Sequence, residues 1–92
     1  MSYCLYDVKG WVADLGSASG LWDITQEVER LRSKGPLCEF IQQGETDNPK
    51  AVSSEIGKIL PRIKNSGANI PLLKVLRRGL AKCSEFGVIS ES

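Results

Sequence analysis

Apolar residues recur at intervals of three and four along most of this chain, and glycines and prolines divide the pattern into short stretches. That interval matches the turn of about 3.6 residues in an α-helix with one buried face. A chain of 92 residues is long enough to build one hydrophobic core. The pattern therefore predicts an all-α fold, a compact bundle of four to five short helices forming one domain over residues 1–92.

The clearest local signal is a helix start at Asn48 and Pro49. Asparagine is a preferred N-cap, and proline suits the first helical position because its missing N–H has no intrahelical partner there. The apolar residues that follow predict a helix over residues 49–60. Pro61 is expected to interrupt this helix, since it lacks a backbone donor and crowds the preceding turn.

A second helix is predicted over residues 24–34, and a short third one over residues 37–41. Asp23, followed three residues later by Gln26, has the spacing of a capping box. Gly35 is expected to end the second helix in a left-handed conformation. The third helix should stop before Gly44.

The last helix is predicted over residues 71–86, with Pro71 at its start and Gly87 at its end. A loop over residues 65–69 should precede it. Gly79 lies inside this helix at a cost of about 1 kcal/mol relative to alanine, which indicates a close helix–helix contact. Residues 88–90 are too few to classify.

The N-terminal segment has two interpretations. Helical spacing of its apolar residues predicts a helix over residues 7–15, but the near alternation of Tyr3, Leu5 and Val8 is also compatible with a short strand over residues 3–8. Residues 16–20, which read Gly-Ser-Ala-Ser-Gly, are expected to form a loop.

Eight apolar residues of the predicted helices are expected to be mostly buried. Trp22 is expected to join Trp11 as a core anchor, although an exposed tryptophan would instead mark a binding position. The eight expected core residues are Trp11, Val28, Leu31, Phe40, Ile56, Ile59, Leu76 and Leu80.

Three cysteines, Cys4, Cys38 and Cys83, lie far apart in the sequence. An odd, widely spaced set favours neither a disulfide framework nor a metal site, so we expect reduced thiols at apolar positions of a cytoplasmic protein. No apolar run approaches the length of about 20 residues that spans a bilayer, and the N-terminus lacks the features of a secretory signal. The sequence gives no indication of a cofactor, a metal or membrane binding.

Catalysis is poorly supported by the residue types. The chain contains no histidine, the commonest general base and metal ligand. Asp23 and Glu27 would share a helical face, but acidic residues near a helix N-terminus are explained by the helix dipole. A cysteine nucleophile would have no histidine to activate it. We therefore predict that the protein is not an enzyme.

The two halves of the chain carry opposite charge. Residues 1–48 contain eight acidic and four basic residues, whereas residues 49–92 contain eight basic and three acidic ones. Lys74, Arg78 and Lys82 are spaced to share one stripe of the last helix. The predicted partner-binding residues, which lie on one face if this helix packs antiparallel to the preceding one, are Lys58, Arg62, Lys64, Lys74, Arg77, Arg78 and Lys82.

Three interpretations of this basic face remain open: a solvated surface, a site for an acidic protein partner, and a site for nucleic acid. A near-neutral isoelectric point and the lack of aromatic residues among the cations weigh against nucleic acid. The acidic residues of the first half also permit self-association with the basic face of a second copy, through Asp23, Glu27, Glu29 and Glu39. The sequence thus predicts a small non-catalytic module that binds a macromolecular partner, with nucleic-acid binding through the last helix as the alternative.

Overall fold

A computed structural model of the protein describes residues 2–31, 35–63 and 69–91. The described chain contains four strands and four α-helices, with a 3-10 turn between the third and fourth helices. In chain order they are β1 (Ser2–Asp7), β2 (Gly10–Ser17), α1 (Ala18–Leu31), α2 (Pro36–Gln43), β3 (Glu45–Thr46), α3 (Pro49–Ile59), the 3-10 turn (Leu60–Arg62), α4 (Asn69–Lys82) and β4 (Gly87–Glu91).

The strands form one antiparallel sheet in the order β2-β1-β4-β3, so the fold is α+β and the predicted all-α bundle is wrong. The N-terminal strand β1 pairs with β4 from the other end of the chain, with Leu5 opposite Ile89. Residues 88–90, which the sequence left unclassified, belong to β4.

Two β-bulges in β2 explain why a helix was wrongly predicted over residues 7–15. The pairing with β1 skips Leu15 and Val12, which have no residue directly opposite them. Each extra residue interrupts the two-residue alternation of a strand. Leu15 is buried and Val12 packs against the core, so inward-facing residues recur three apart, as they would in a helix.

Helix α1 begins at Ala18, so residues 16–20 are not a loop and the predicted capping box at Asp23 and Gln26 is wrong. The Gly20 N–H donates to Ser17 Oγ at 3.4 Å, which is the bond that a serine N-cap makes. Gly16 has a φ of 84° at the strand-to-helix junction, a conformation that favours glycine. Residues 32–34, the predicted end of this helix, lie outside the described residues. Gly35 is described, and its φ of 174° is extended backbone at the N-cap of α2, so the predicted left-handed conformation is wrong.

The predictions for α2 and α3 are confirmed. Helix α2 ends at Gln43, and the C-cap residue Gly44 adopts a φ of 78° and donates its N–H to Phe40 O at 2.8 Å. Helix α3 begins at Pro49, and the Ala51 N–H donates to Asn48 Oδ1 at 3.3 Å. The expected break at Pro61 takes the form of the 3-10 turn.

Replacing Asn48 with alanine should destabilise the protein by about 1 kcal/mol, because the Ala51 N–H would lose its side-chain acceptor. Urea denaturation followed by circular dichroism would measure this change. Asn48→Asp keeps an acceptor and should restore most of the stability. Equal losses in the two variants would contradict the capping role.

Helix α4 ends at Lys82, four residues before the predicted end. The chain leaves the helix there because β4, which begins at Gly87, must pair with β1 and β3. Gly87 packs closely against Leu80 and Leu5. A Cβ at Gly87 would lie 3.1 Å from Leu80 Cδ2. The loop predicted over residues 65–69 lies outside the described residues, except for Asn69, which is the first residue of α4.

Gly79 packs against the sheet, so the predicted helix–helix contact at this position is wrong. A Cβ at Gly79 would lie 2.7 Å from Leu5 Cδ2 and 3.5 Å from Val12 Cγ1. The absence of a side chain at Gly79 therefore lets α4 lie close to β1 and β2.

The hydrophobic core is shared between the sheet and the helices. Trp11 and Trp22 are 60% and 63% exposed, so both predicted core anchors are wrong. Trp11 lies opposite Tyr6 on the face of the sheet that points away from Leu5. The side chain of Leu31 lies outside the described part. The expected core residues confirmed as buried are Val28, Phe40, Ile56, Ile59, Leu76 and Leu80.

Candidate interaction surface on helices α3 and α4

Helices α3 and α4 pack against each other around Arg77. Ser53 Oγ donates a hydrogen bond to Arg77 O at 3.0 Å. The Arg77 guanidinium lies against Gly57, where a Cβ would come within 2.9 Å of Nη2. The glycine thus leaves room for this side chain to lie across α3.

A groove of about 460 Å³ runs between these two helices. Its apolar part comes from Leu60 and Ala81, and three exposed cations surround it. We call it the basic groove, and the residues that line it are Ser53, Leu60, Lys74, Arg77, Arg78 and Ala81.

The structure places three of the seven predicted partner-binding residues, Lys74, Arg77 and Arg78, in this groove. The other described cations of the set, Lys58, Arg62 and Lys82, are exposed but do not line it. Lys64 lies outside the described residues. The spacing of the cations therefore identified the exposed side of α4 correctly. Leu76 and Leu80, on the opposite side of the helix, fill the core as expected.

Among the described residues, no carboxylate lies within ion-pairing distance of the cations of α3 and α4. Within residues 2–31, 35–63 and 69–91, the observed ion pair joins Arg30 to Glu27 on α1. A cation without a nearby carboxylate keeps its full capacity to attract an acidic partner, because none of its charge is already compensated.

A second groove, of about 590 Å³, has the opposite charge and was not predicted from the sequence. It forms where α2, β3 and the start of α3 meet the segment that leads into β4. Glu39, Glu45 and Asp47 are exposed around Phe86 and Val88. We call this the acidic groove, and its remaining lining residues are Pro36, Phe40, Gln43, Thr46, Asn48 and Ala51.

The acidic groove depends on two local features that place its carboxylates. The left-handed Gly44 turns the chain from α2 into β3, and Ile89 N donates to Gly44 O at 2.7 Å. Thr46 Oγ1 accepts from Asn48 N at 3.1 Å, which turns the chain again into α3. In the sequence, the acidic residues on both sides of Gly44 were the one signal from which this groove could have been predicted.

A smaller apolar pocket, of about 280 Å³, lies beside the exposed Trp22. It lies where α1, α2 and the sheet meet, and its lining includes Tyr3, Leu21, Ile41 and Ile89. Exposed tryptophans next to apolar pockets are typical of protein interfaces.

The groups considered for catalysis are used in other ways. Glu27 pairs with Arg30, and Asp23 is exposed on α1. Cys4, Cys38 and Cys83 are buried with free thiols, as expected from their apolar positions. Burial raises the pKa of the Cys83 thiol and the Asp7 carboxylate adds to this effect, which disfavours the reactive thiolate. Across the described part of the chain, no group of three potential metal ligands is found.

The chain matches no protein family model, no curated protein and no solved structure. None of the helices described has the length and apolar character needed to cross a membrane. The functional argument therefore rests on the grooves and on the charges around them.

Proposed function

We propose that this protein is a non-catalytic binding module that recognises an acidic segment of another protein in the basic groove. The observation that carries the proposal is the arrangement of Lys74, Arg77 and Arg78 around Leu60 and Ala81, with no described carboxylate nearby to neutralise the cations. The free buried thiols are compatible with a reducing compartment, so we place this activity in the cytoplasm.

The expected partner has both carboxylates and apolar side chains. An exposed ion pair contributes about 0.2–1 kcal/mol, whereas micromolar binding requires about 8 kcal/mol. Three ion pairs are therefore insufficient alone. Contacts with Leu60 and Ala81 must supply part of the affinity, which favours an amphipathic acidic segment.

Nucleic acid is the weaker candidate for the same groove. Among the described residues that line it, none is aromatic, and base stacking on aromatic side chains is a main source of affinity for single strands. Phosphate contacts alone would give binding that weakens steeply with salt.

The proposal predicts that Lys74→Glu/Arg78→Glu weakens binding of an acidic amphipathic peptide by about tenfold or more, because two attractions become repulsions. The probe is a short fluorescent peptide with glutamates on one helical face and leucines on the other. Fluorescence anisotropy at about 0.05 M salt would measure the affinity, and a fluorescent single-stranded oligonucleotide would serve as the comparison probe.

The matched control is Lys9→Glu/Lys50→Glu, which makes the same change in net charge at two exposed lysines outside the groove. This variant should bind the peptide nearly as well as the unmodified protein. Equal losses of affinity in the two variants would show that binding depends on net charge and not on the basic groove. Tighter binding of the oligonucleotide than of the peptide would favour the nucleic-acid alternative.

A further inference from the structure

The acidic groove has the chemistry to receive a basic helix. Glu39, Glu45 and Asp47 are exposed at its edge, while Phe86 and Val88 supply half-buried apolar surface. As on α3 and α4, these charges have no opposite charge within ion-pairing distance among the described residues. The groove is also the larger of the two charged ones.

The same chain carries a basic helix that matches this groove. Lys74, Arg78 and Lys82 are exposed at successive turns of α4 and span about 12 Å along its axis. Their long side chains present three positive charges on one ridge, against three carboxylates on the groove. Surfaces of complementary charge attract one another and determine how two proteins are oriented when they meet.

We propose that the partner is a second copy of this chain, whose α4 ridge docks in the acidic groove. This inference rests on the proposed function and specifies the acidic surface that the basic face meets. The surface differs from the one suggested by the sequence, since Glu27 is already paired with Arg30, and among the described side chains of that set Glu39 alone lines the groove.

The two contact surfaces of the proposed assembly consist of different residues. The acidic and basic grooves share no lining residue. The proposed contact is head-to-tail, which leaves one free surface at each end of an open chain, whereas a two-fold dimer would use both surfaces of each copy on the same partner. Assembly should therefore grow with concentration into rings or chains, and should weaken as salt screens the charges.

Sedimentation velocity of the full chain at about 0.02 M and 0.5 M salt tests this inference. The unmodified protein should form species larger than a dimer at low salt and should dissociate at high salt. Glu39→Gln/Glu45→Gln should weaken association by about tenfold, and Lys74→Gln/Arg78→Gln should do the same, since each removes two contacts.

Mixing these two variants gives the sharpest result. Glu39→Gln/Glu45→Gln keeps its basic ridge, and Lys74→Gln/Arg78→Gln keeps its acidic groove. The mixture therefore retains one intact contact and should form one-to-one dimers but nothing larger. Asp23→Asn/Glu91→Gln removes two exposed charges outside the groove and should associate like the unmodified protein.

A monomeric protein at low salt, at concentrations up to about 0.5 mM, would overturn the inference. So would association that Glu39→Gln/Glu45→Gln leaves unchanged. A monomer that still binds the acidic peptide would refute self-association while leaving the proposed function standing. A monomer that also fails to bind the acidic peptide would refute both self-association and the proposed function.

Discussion

Replacing Gly79 with alanine is expected to lower the free energy of unfolding by about 1–2 kcal/mol, although alanine is the better helix former by about 1 kcal/mol. The added Cβ would lie 2.7 Å from Leu5 Cδ2, and both positions are buried between α4 and the sheet. Helix propensity alone predicts the opposite sign. Urea denaturation of the two proteins would decide between these effects.

Gly57→Ala is the matched control in α3. Its Cβ would meet the end of the exposed Arg77 side chain, which can move into solvent. This variant should therefore be more stable by up to about 1 kcal/mol. In a Leu5→Val background, which removes the clashing methyl group, Gly79→Ala should cost less than it does alone. Stabilisation by Gly79→Ala in the unmodified background would contradict the packing of α4 on the sheet.

Replacing Glu55 with alanine is expected to destabilise the protein by about 2–3 kcal/mol. This glutamate is only 4% exposed, and its Oε2 accepts the Leu37 N–H at 3.2 Å at the start of α2. Without the carboxylate, a buried donor at a helix N-terminus would lose its acceptor. Gly35 has no side chain to obstruct this contact, since a Cβ there would lie 2.6 Å from Glu55 Oε1.

Comparison with two other substitutions would isolate the role of the Glu55 carboxylate. Glu55→Gln retains an oxygen acceptor and should lose less stability than Glu55→Ala. Ser54→Ala changes an exposed neighbour on the same helix and should stay within about 0.5 kcal/mol of the unmodified protein. Equal stability of the alanine variant and the unmodified protein in thermal and urea unfolding would refute the capping of α2 by Glu55.

The position of the candidate site was only partly predictable. Lys74 and Arg78 were identified because helical periodicity separates them from Leu76 and Leu80 on the buried side. The acidic groove was missed because it joins the end of α2 and β3 to Phe86 and Val88, which are distant in the sequence. The periodic pattern of a single helix or strand does not indicate which distant segments of the chain it contacts.

Local chemistry in the sequence was enough to determine α2 and α3. Asn48, Pro49, Gly44 and Pro61 act on backbone groups within a few residues of themselves, so their effect does not depend on what the rest of the chain does. A cap or a proline break can therefore be recognised without knowledge of the fold.

The tertiary structure alone decided that the N-terminal segment forms strands. Strand β1 takes its hydrogen bonds from β2 and from β4 at the opposite end of the chain, and a strand has no internal backbone pairing of its own. The bulges at Val12 and Leu15 give β2 a helix-like spacing, and the close approach of Gly79 to Leu5 holds α4 on the resulting sheet. These contacts join residues far apart in the sequence, and for that reason the helical pattern of residues 7–15 could not reveal them.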